Sequence, residues 1–257
     1  MSISPSTTPH TGSPILDWVD LGRMSYEQAY DVQVAAVDRV LAGRESGTGV
    51  GSGPQAIIHF VEHDPVITVS RRPEAKQHLT ATPELLERFG VSVAETDRGG
   101  DITYHGPGQL VVYPIVDLNH FNLGLHAYMR LLEEASIRTA AAFGVPTMRD
   151  PAATGVWTVN AEGAPHAKLC ACGVRVRKWV SMHGLAINVH TNLDHFNLIV
   201  PCGLAGRPLT SLHTFLGPDA PDMDAVKAAM RATLHMLLLD AADEAATKRR
   251  ITPAPSP

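Results

Sequence analysis

Residues 98–110 read RGGDITYHGPGQL, and the apolar LVVYPIV (110–116) follows from the last of them. Five of these thirteen positions are Gly or Pro. Glycine opens backbone angles closed to other residues, and proline fixes φ and removes a donor. The stretch therefore reads as a rigid turn that carries Asp101, Tyr104, His105 and Gln109 and then enters a buried strand over 110–117. A chain built around such a junction needs a covered sheet.

The remaining periodicities supply that sheet and its cover. Ser25-Tyr-Glu-Gln28 is a capping box that opens a helix to about Leu41. QAIIHFVEHDPVITVSR (55–71) reads as two strands around a turn at His63-Asp64-Pro65. Thr82-Pro83 starts a short helix that Gly90 stops. A helix is expected from Leu125 to about Phe143, with Leu125, Met129, Leu132, Ala135 and Ile137 near helical spacing and Gly144 at its end. VWTV (156–159), AKLCACGVRV (167–176) and VSMHGLAINV (180–189) are strand-like, and residues 224–242 form a last helix. This order predicts an α+β fold: a single domain with a mixed, mainly antiparallel β-sheet flanked by α-helices. The domain spans 15–242, between a disordered tail at 1–14 and a flexible one at 243–257.

Composition excludes several functions. With 257 residues and 44% hydrophobic content, a sizeable core is available. The net charge of −5, without a long run of one sign, argues against a nucleic-acid partner. No stretch approaches eighteen consecutive apolar residues, so no membrane span is expected, and the N-terminus does not read as a secretory signal. Three cysteines in a chain this long fit a reducing cytoplasm rather than a disulfide scaffold. GRESGTGVGSG (43–53) reads as a mobile loop. It lacks the G-x-G-x-x-G spacing and any following Lys-Ser/Thr, so it is no phosphate loop.

The cysteines divide by context. Cys170 and Cys172 form a C-x-C on one strand, which supplies two ligands where a metal site needs about four. No second pair stands at a matching spacing, so no metal is expected and the two read as small residues of a packed sheet. Cys202 follows Pro201 and precedes Gly203. It sits on an irregular turn, the setting of a presented nucleophile or of a buried loop cysteine. A thiol titrates near about 8.5, so a nucleophile needs a neighbouring cation or base. His195, Arg207, His213, Lys168, His183 and His105 all qualify by residue type, and spacing does not choose. Lys168 opens the apolar run LCACGV, either reaching water at a strand end or standing as a partly buried amine. Arg175, Arg177 and Lys178 fall at a hairpin tip, a solvated turn or a patch for an acidic partner.

Together, RGGDITYHGPGQLVVYPI, AKLCACGVRVRKWVSMHGLAINV and VPCGLAGRPLTSL resemble, in order and spacing, the three signature blocks of the octanoyltransferases of lipoate biosynthesis. The resemblance covers roughly residues 15–240. It implies the catalytic fold of biotin and lipoate ligases. It also implies transfer of an octanoyl group from octanoyl-acyl carrier protein to a lysine of lipoyl domains. Those domains belong to 2-oxoacid dehydrogenase complexes or to the glycine cleavage H protein. By the same resemblance Cys202 is the nucleophile and Lys168 its partner. The acyl-binding segments correspond to Arg98, Gly99, Gly100, Asp101, Ile102, Thr103, Tyr104 and His105, to Ala171, Cys172 and Gly173, and to Gly184, Leu185 and Ala186. Cys172 then lines the acyl site and is not a nucleophile. Two positions depart from the usual pattern: Ser70-Arg71 replaces Gly-Arg, and Met182 replaces a frequent Tyr.

The implied chemistry needs no cofactor. Thioester-to-thioester transfer is nearly isoenergetic and amide formation is downhill, so ATP and metal are both expected to be dispensable. Lys168 is expected to take the thiol proton and later to accept one from the incoming amine. Backbone N–H groups near Gly203 and side chains such as His105 are candidates for the oxyanion donors. Two alternatives share the fold: an ATP-dependent lipoate or biotin ligase, and a non-catalytic acyl-binding protein.

Overall fold

The structure is a computed structural model that describes residues 14–45, 53–200 and 206–251. Its strands are β1 (Leu16–Met24), β2 (Ala56–His63), β3 (Val66–Ser70), β4 (Ser92–Thr96), β5 (Ile102–His105), β6 (Gln109–Val116), β7 (Thr147–Asp150), β8 (Ala153–Val159), β9 (Pro165–Arg177) and β10 (Val180–Asn188). Its α-helices are α1 (Tyr26–Glu45), α2 (Pro83–Phe89), α3 (Leu125–Ala141), α4 (Leu212–Leu216) and α5 (Met223–Ile251). Seven strands form the main sheet in the order β1-β2-β6-β10-β9-β8-β7, and three form a second sheet, β4-β3-β5. Only β1–β2 and β3–β4 run parallel. The expected α+β class with a mainly antiparallel sheet is what the chain adopts.

Strand β6 shows why the sheet is covered twice. Every one of its residues is buried. Alternation sends Val111, Tyr113 and Ile115 to one face and Leu110, Val112 and Val116 to the other. Ala29, Ala36, Val37 and Val40 of α1 cover the first face. Tyr128 and Leu132 of α3, with Met230 and Leu234 of α5, cover the second. Each such fully buried aliphatic side chain contributes about 1.5–3 kcal/mol over exposure.

Pro114 interrupts β6 and shapes what lies beside it. Proline has no N–H for a central ladder. The β6–β10 pairing runs from Gln109↔Asn188 to Val112↔Leu185. The Pro114 carbonyl is instead taken by the hydroxyls of Ser181 and Tyr128, at 2.8 and 2.9 Å. A Cβ on Gly184 would stand 2.2 Å from the Val112 oxygen, so only glycine fits at this departure. The preceding His183 takes φ +59°, a left-handed angle unusual for a side-chain-bearing residue.

Local signals behave as physics dictates. Ser25 and Gln28 exchange both capping-box hydrogen bonds at 3.3 Å. The Thr82 hydroxyl accepts from the Leu85 N–H, and Gly90 ends α2 at φ +62°. The two strands around Asp64-Pro65 are present, but β2 belongs to the main sheet and β3 to the small one. That turn is the hinge between sheets. The final helix outruns its expected end at Ala242 and reaches Ile251, so residues 243–251 are helix rather than tail. Ala245 is buried, and the Arg249 guanidinium donates to the His120 carbonyl, which anchors this extension. Of the loop expected at 43–53, residues 43–45 close α1 and 46–52 lie outside the described residues, as do 1–13 of the N-terminal tail.

Candidate active site

The two sheets enclose a cavity of about 500 Å³, within the roughly 300–1,000 Å³ range of small-ligand pockets. Its rear wall is β9 and β10 of the main sheet. Its front wall is β5 and the turn before it. The Gly99 N–H donates to the Val174 carbonyl at 2.8 Å and ties the walls together. A Cβ on Gly173 would meet the Gly99 oxygen at 2.7 Å, so the backbones touch because glycine is there.

The rear wall holds Lys168, Ala171, Cys172, Gly173, Gly184, Leu185 and Ala186 against the cavity. Small side chains in ACG and GLA leave the volume open. Leu125 and Met129 of α3 also line the cavity, Met129 while packed against the main core. Lys168 is only 8% exposed. Its Nζ lies 4.9 Å from the Trp157 ring centroid, inside cation–π range, and the Arg207 guanidinium sits over the same ring at 3.7 Å. Arg207 pairs with Asp150. The Ala152 N–H and then Arg207 hold the Asp150 carboxyl below its usual range. Among the described residues Lys168 has no ion-pair partner. Its backbone is bonded on both sides: Lys168 N–H to the Pro208 carbonyl at 2.9 Å, and Thr210 N–H to the Lys168 carbonyl at 3.0 Å.

The front wall is a strand, not only a turn, and its alternation divides the expected acyl-binding residues. Arg98, Gly99, Gly100, Asp101, Thr103 and His105 line the cavity. Ile102 and Tyr104 point the other way, into a cluster with Ile67, Val69, Phe196 and Leu198. These two are corrections, since register against β3 fixes the face (Tyr104 opposite Ile67). The Tyr104 hydroxyl binds His195 Nδ1 at 2.7 Å instead.

Burial sets the histidine chemistry. Desolvation pushes His105 down to about 3 and His63 to about 4, so both are neutral near pH 7. His183 is also lowered by burial, which outweighs its contact with Asp97 at 2.9 Å. Burial pulls Asp97 up, but hydrogen bonds from His183 and Tyr30, with the charge of Arg175, leave it below the usual carboxylate value. Arg175 is thus held in an ion pair with a buried carboxylate. It is not the free docking charge that its hairpin position suggested.

The cysteines separate as well. Cys170 is fully buried, with its sulfur 3.3 Å from the Ser136 hydroxyl. Cys172 lines the cavity, but the Cys170 sulfur beside it and its burial push its thiol well up. The buried Cys170 thiol goes the other way: burial raises it, but hydrogen bonds with Cys172 and Ser136 bring it below the usual value, and it does not line the cavity. Cys202 lies outside the described residues, as does Gly203. Among the described residues, no group of three or more His, Cys, Asp or Glu is arranged to hold a metal. No helix among them is long and apolar enough to cross a membrane.

Sequence reasoning passed over several groups. Glu133 is buried in α3 and accepts from Gly155 N–H at 3.0 Å and from Arg130 and Arg149. Tyr26 and Tyr113 face the cavity from α1 and β6. The Glu133 carboxylate inside an apolar helix stripe was the one visible signal; the tyrosines had none.

Residues 27–235 match the family described as the lipoyl protein ligase A/B catalytic domain. An octanoyltransferase from Koribacter versatilis is 44% identical over 201 residues, 77% of this chain and 75% of that one. An octanoyltransferase from Christiangramia forsetii is 40% identical over 213 residues, 81% and 89% of the two chains. A bi-partite lipoate protein ligase from Thermoplasma acidophilum superposes with a TM-score of 0.61 at 15% identity, covering 92% of this chain and 91% of that one. At that identity the superposition speaks for the fold alone.

Proposed function

Because this chain belongs to the lipoyl protein ligase A/B catalytic family, and within it to the octanoyltransferases of lipoate biosynthesis, we propose a two-step acyl transfer through Cys202. The donor is octanoyl-acyl carrier protein. The acceptor is a lysine of lipoyl domains, in 2-oxoacid dehydrogenase complexes or the glycine cleavage H protein. The setting is the cytoplasm, and neither ATP nor metal takes part.

In the first step the Cys202 sulfur attacks the donor thioester. A new S–C bond forms, the donor S–C bond breaks, and the thiol proton passes through Lys168 to the departing carrier sulfur. In the second step the lysine nitrogen attacks the acyl-enzyme. The N–C bond forms, the Cys202 S–C bond breaks, and the amine proton returns through Lys168 to the cysteine. The observation that carries this reading is Lys168 itself: a buried amine without an ionic partner among the described residues, facing an apolar cavity of acyl size. Support also comes from Pro208 and Thr210, which hold the Lys168 backbone just downstream of the cysteine segment. Burying the seven saturated carbons of an octanoyl chain contributes about 0.8 kcal/mol each.

Intact-protein mass spectrometry after exposure to octanoyl-acyl carrier protein, without ATP, tests the reading. One octanoyl adduct is expected in the wild type and in Cys170→Ser, and none in Cys202→Ser. A label retained in Cys202→Ser, or a strict requirement for ATP, overturns it.

A further inference from the structure

A chain of amides behind the front wall fixes the proton on His105. The Thr210 carbonyl can only accept, so the Asn188 atom 3.0 Å from it is the amide nitrogen. Asn188 therefore turns its oxygen to Gln109, and at 2.9 Å the Gln109 atom facing that oxygen is its NH2. The same nitrogen reaches the Tyr104 carbonyl at 3.3 Å, which selects the same orientation. Gln109 must then present its oxygen to His105 Nδ1, 2.7 Å away. That oxygen accepts, so Nδ1 carries the proton. Neutral His105 has one proton to place, and its Nε2 is a bare lone pair. Among the described residues Nε2 has no partner, and the ring lines the cavity.

This excludes the oxyanion role that the sequence left open for His105, because a bare nitrogen cannot donate. It creates a different one. We propose that His105 Nε2 accepts a hydrogen bond from the attacking amine and orients it in the second transfer step. The position suits that task. His105 and Lys168 line the same cavity, and Gln109, which holds Nδ1, stands two strands across the main sheet from the Lys168 end of β9, about 10 Å away. A small niche lined by Thr103, Gln109, Lys168 and Asn188 joins the two. His105 holds one amine N–H while Lys168 takes the other proton, so the nitrogen lone pair points at the acyl carbon. No proton rests on His105. Of the reactants in the two steps, only the amine brings an N–H to the reacting carbon.

The proposal rests on the two-step reading, so its test separates the steps. His105→Asn keeps an amide nitrogen where Nδ1 stood, preserves the bond to Gln109, and leaves no acceptor at the Nε2 position. Octanoyl-enzyme formation, followed by mass, should slow less than the second step, because the thioester donor brings no amine to Nε2. Transfer from isolated octanoyl-enzyme to a lipoyl domain should fall by about tenfold or more, the loss of one hydrogen bond. Equal slowing of both steps marks a structural role and overturns the proposal, as does unchanged transfer. A wild type that forms no octanoyl-enzyme overturns the reading beneath it. Nitrogen-15 NMR of the wild-type imidazoles tests the tautomer without any substitution. His105 should show the Nδ1–H form and no titration from about pH 5 to about pH 8; an Nε2–H form or a titrating ring sinks the proposal even if the reaction proceeds as described.

Discussion

The two walls of the cavity are built by opposite means. The rear wall lies in the interior of a seven-stranded sheet with helices on both faces, and it makes room by losing side chains: Ala171, Gly173, Gly184 and Ala186. Its one charged group, Lys168, is held through backbone bonds on both sides. The front wall sits on a three-stranded sheet and acts through its side chains: Arg98 donates to the Thr68 carbonyl and hydroxyl, and His105 to Gln109. Rigid backbone opens the cavity on one side, and a hydrogen-bonded polar strand faces it from the other. Chemistry and shape are thus tuned on different sheets.

Removing the amine from the rear wall should have the largest effect. Lys168→Gln keeps the buried stem and a polar tip but can carry no proton between the sulfurs and the amine. Overall transfer is expected to fall by about 10²–10⁴, the usual worth of a positioned acid–base group. Thermal stability should stay near wild type, since no described ionic partner is orphaned. A rate within about threefold of wild type would move the proton shuttle to the front wall and break the comparison.

What the sequence disclosed follows the same division. The rear wall was legible because its signals are local: C-x-C, GLA and the lysine opening an apolar strand stand next to one another in the chain. Caps at Ser25 and Thr82 were legible for the same reason. The front wall was half legible. Its polar residues could be named, but which of Ile102, Thr103, Tyr104 and His105 face the cavity depends on register against β3, which no local pattern reports. Least visible was the support beneath it. His183 meets Asp97 across 86 positions, and Tyr30 meets Asp97 across 67. Nor did the helical periodicity of 125–137 disclose that Leu125 and Met129 would reach the cavity.

The walls should also separate in acid. Folded His63 and His105 resist protonation to about 4 and about 3, because burial excludes the charge. Their unfolded counterparts protonate near about 6.5. As pH falls below about 6.5 the unfolded state binds protons that the native state refuses, and stability drops by up to roughly 1.4 kcal/mol per pH unit for each group. The urea midpoint should therefore fall between about pH 7 and about pH 5. Amide exchange should rise first in β5 and only later in β9 and β10. His63→Gln should reduce the pH dependence, the remainder coming from His105 and from His59 and His183, which burial also lowers. A midpoint independent of pH would show that the two rings are not the acid-sensitive joint between the sheets.

The smallest effect belongs to the outer surface. Arg175 is committed to Asp97, so any recognition of an acidic carrier falls to charges that the site does not use. Arg71 and Arg177 are both exposed, and Arg71 lies close enough to act on the Tyr30 hydroxyl beside Arg175 and Asp97. Exposed charges contribute little each, so Arg71→Glu with Arg177→Glu should slow transfer from the carrier protein by about fivefold at low salt. The deficit should vanish approaching 1 M salt, where the screening length is about 3 Å. Transfer from a small octanoyl thioester, which brings no protein surface, should be unchanged at either ionic strength. A deficit that persists with the small donor would place these arginines inside the front wall rather than around it.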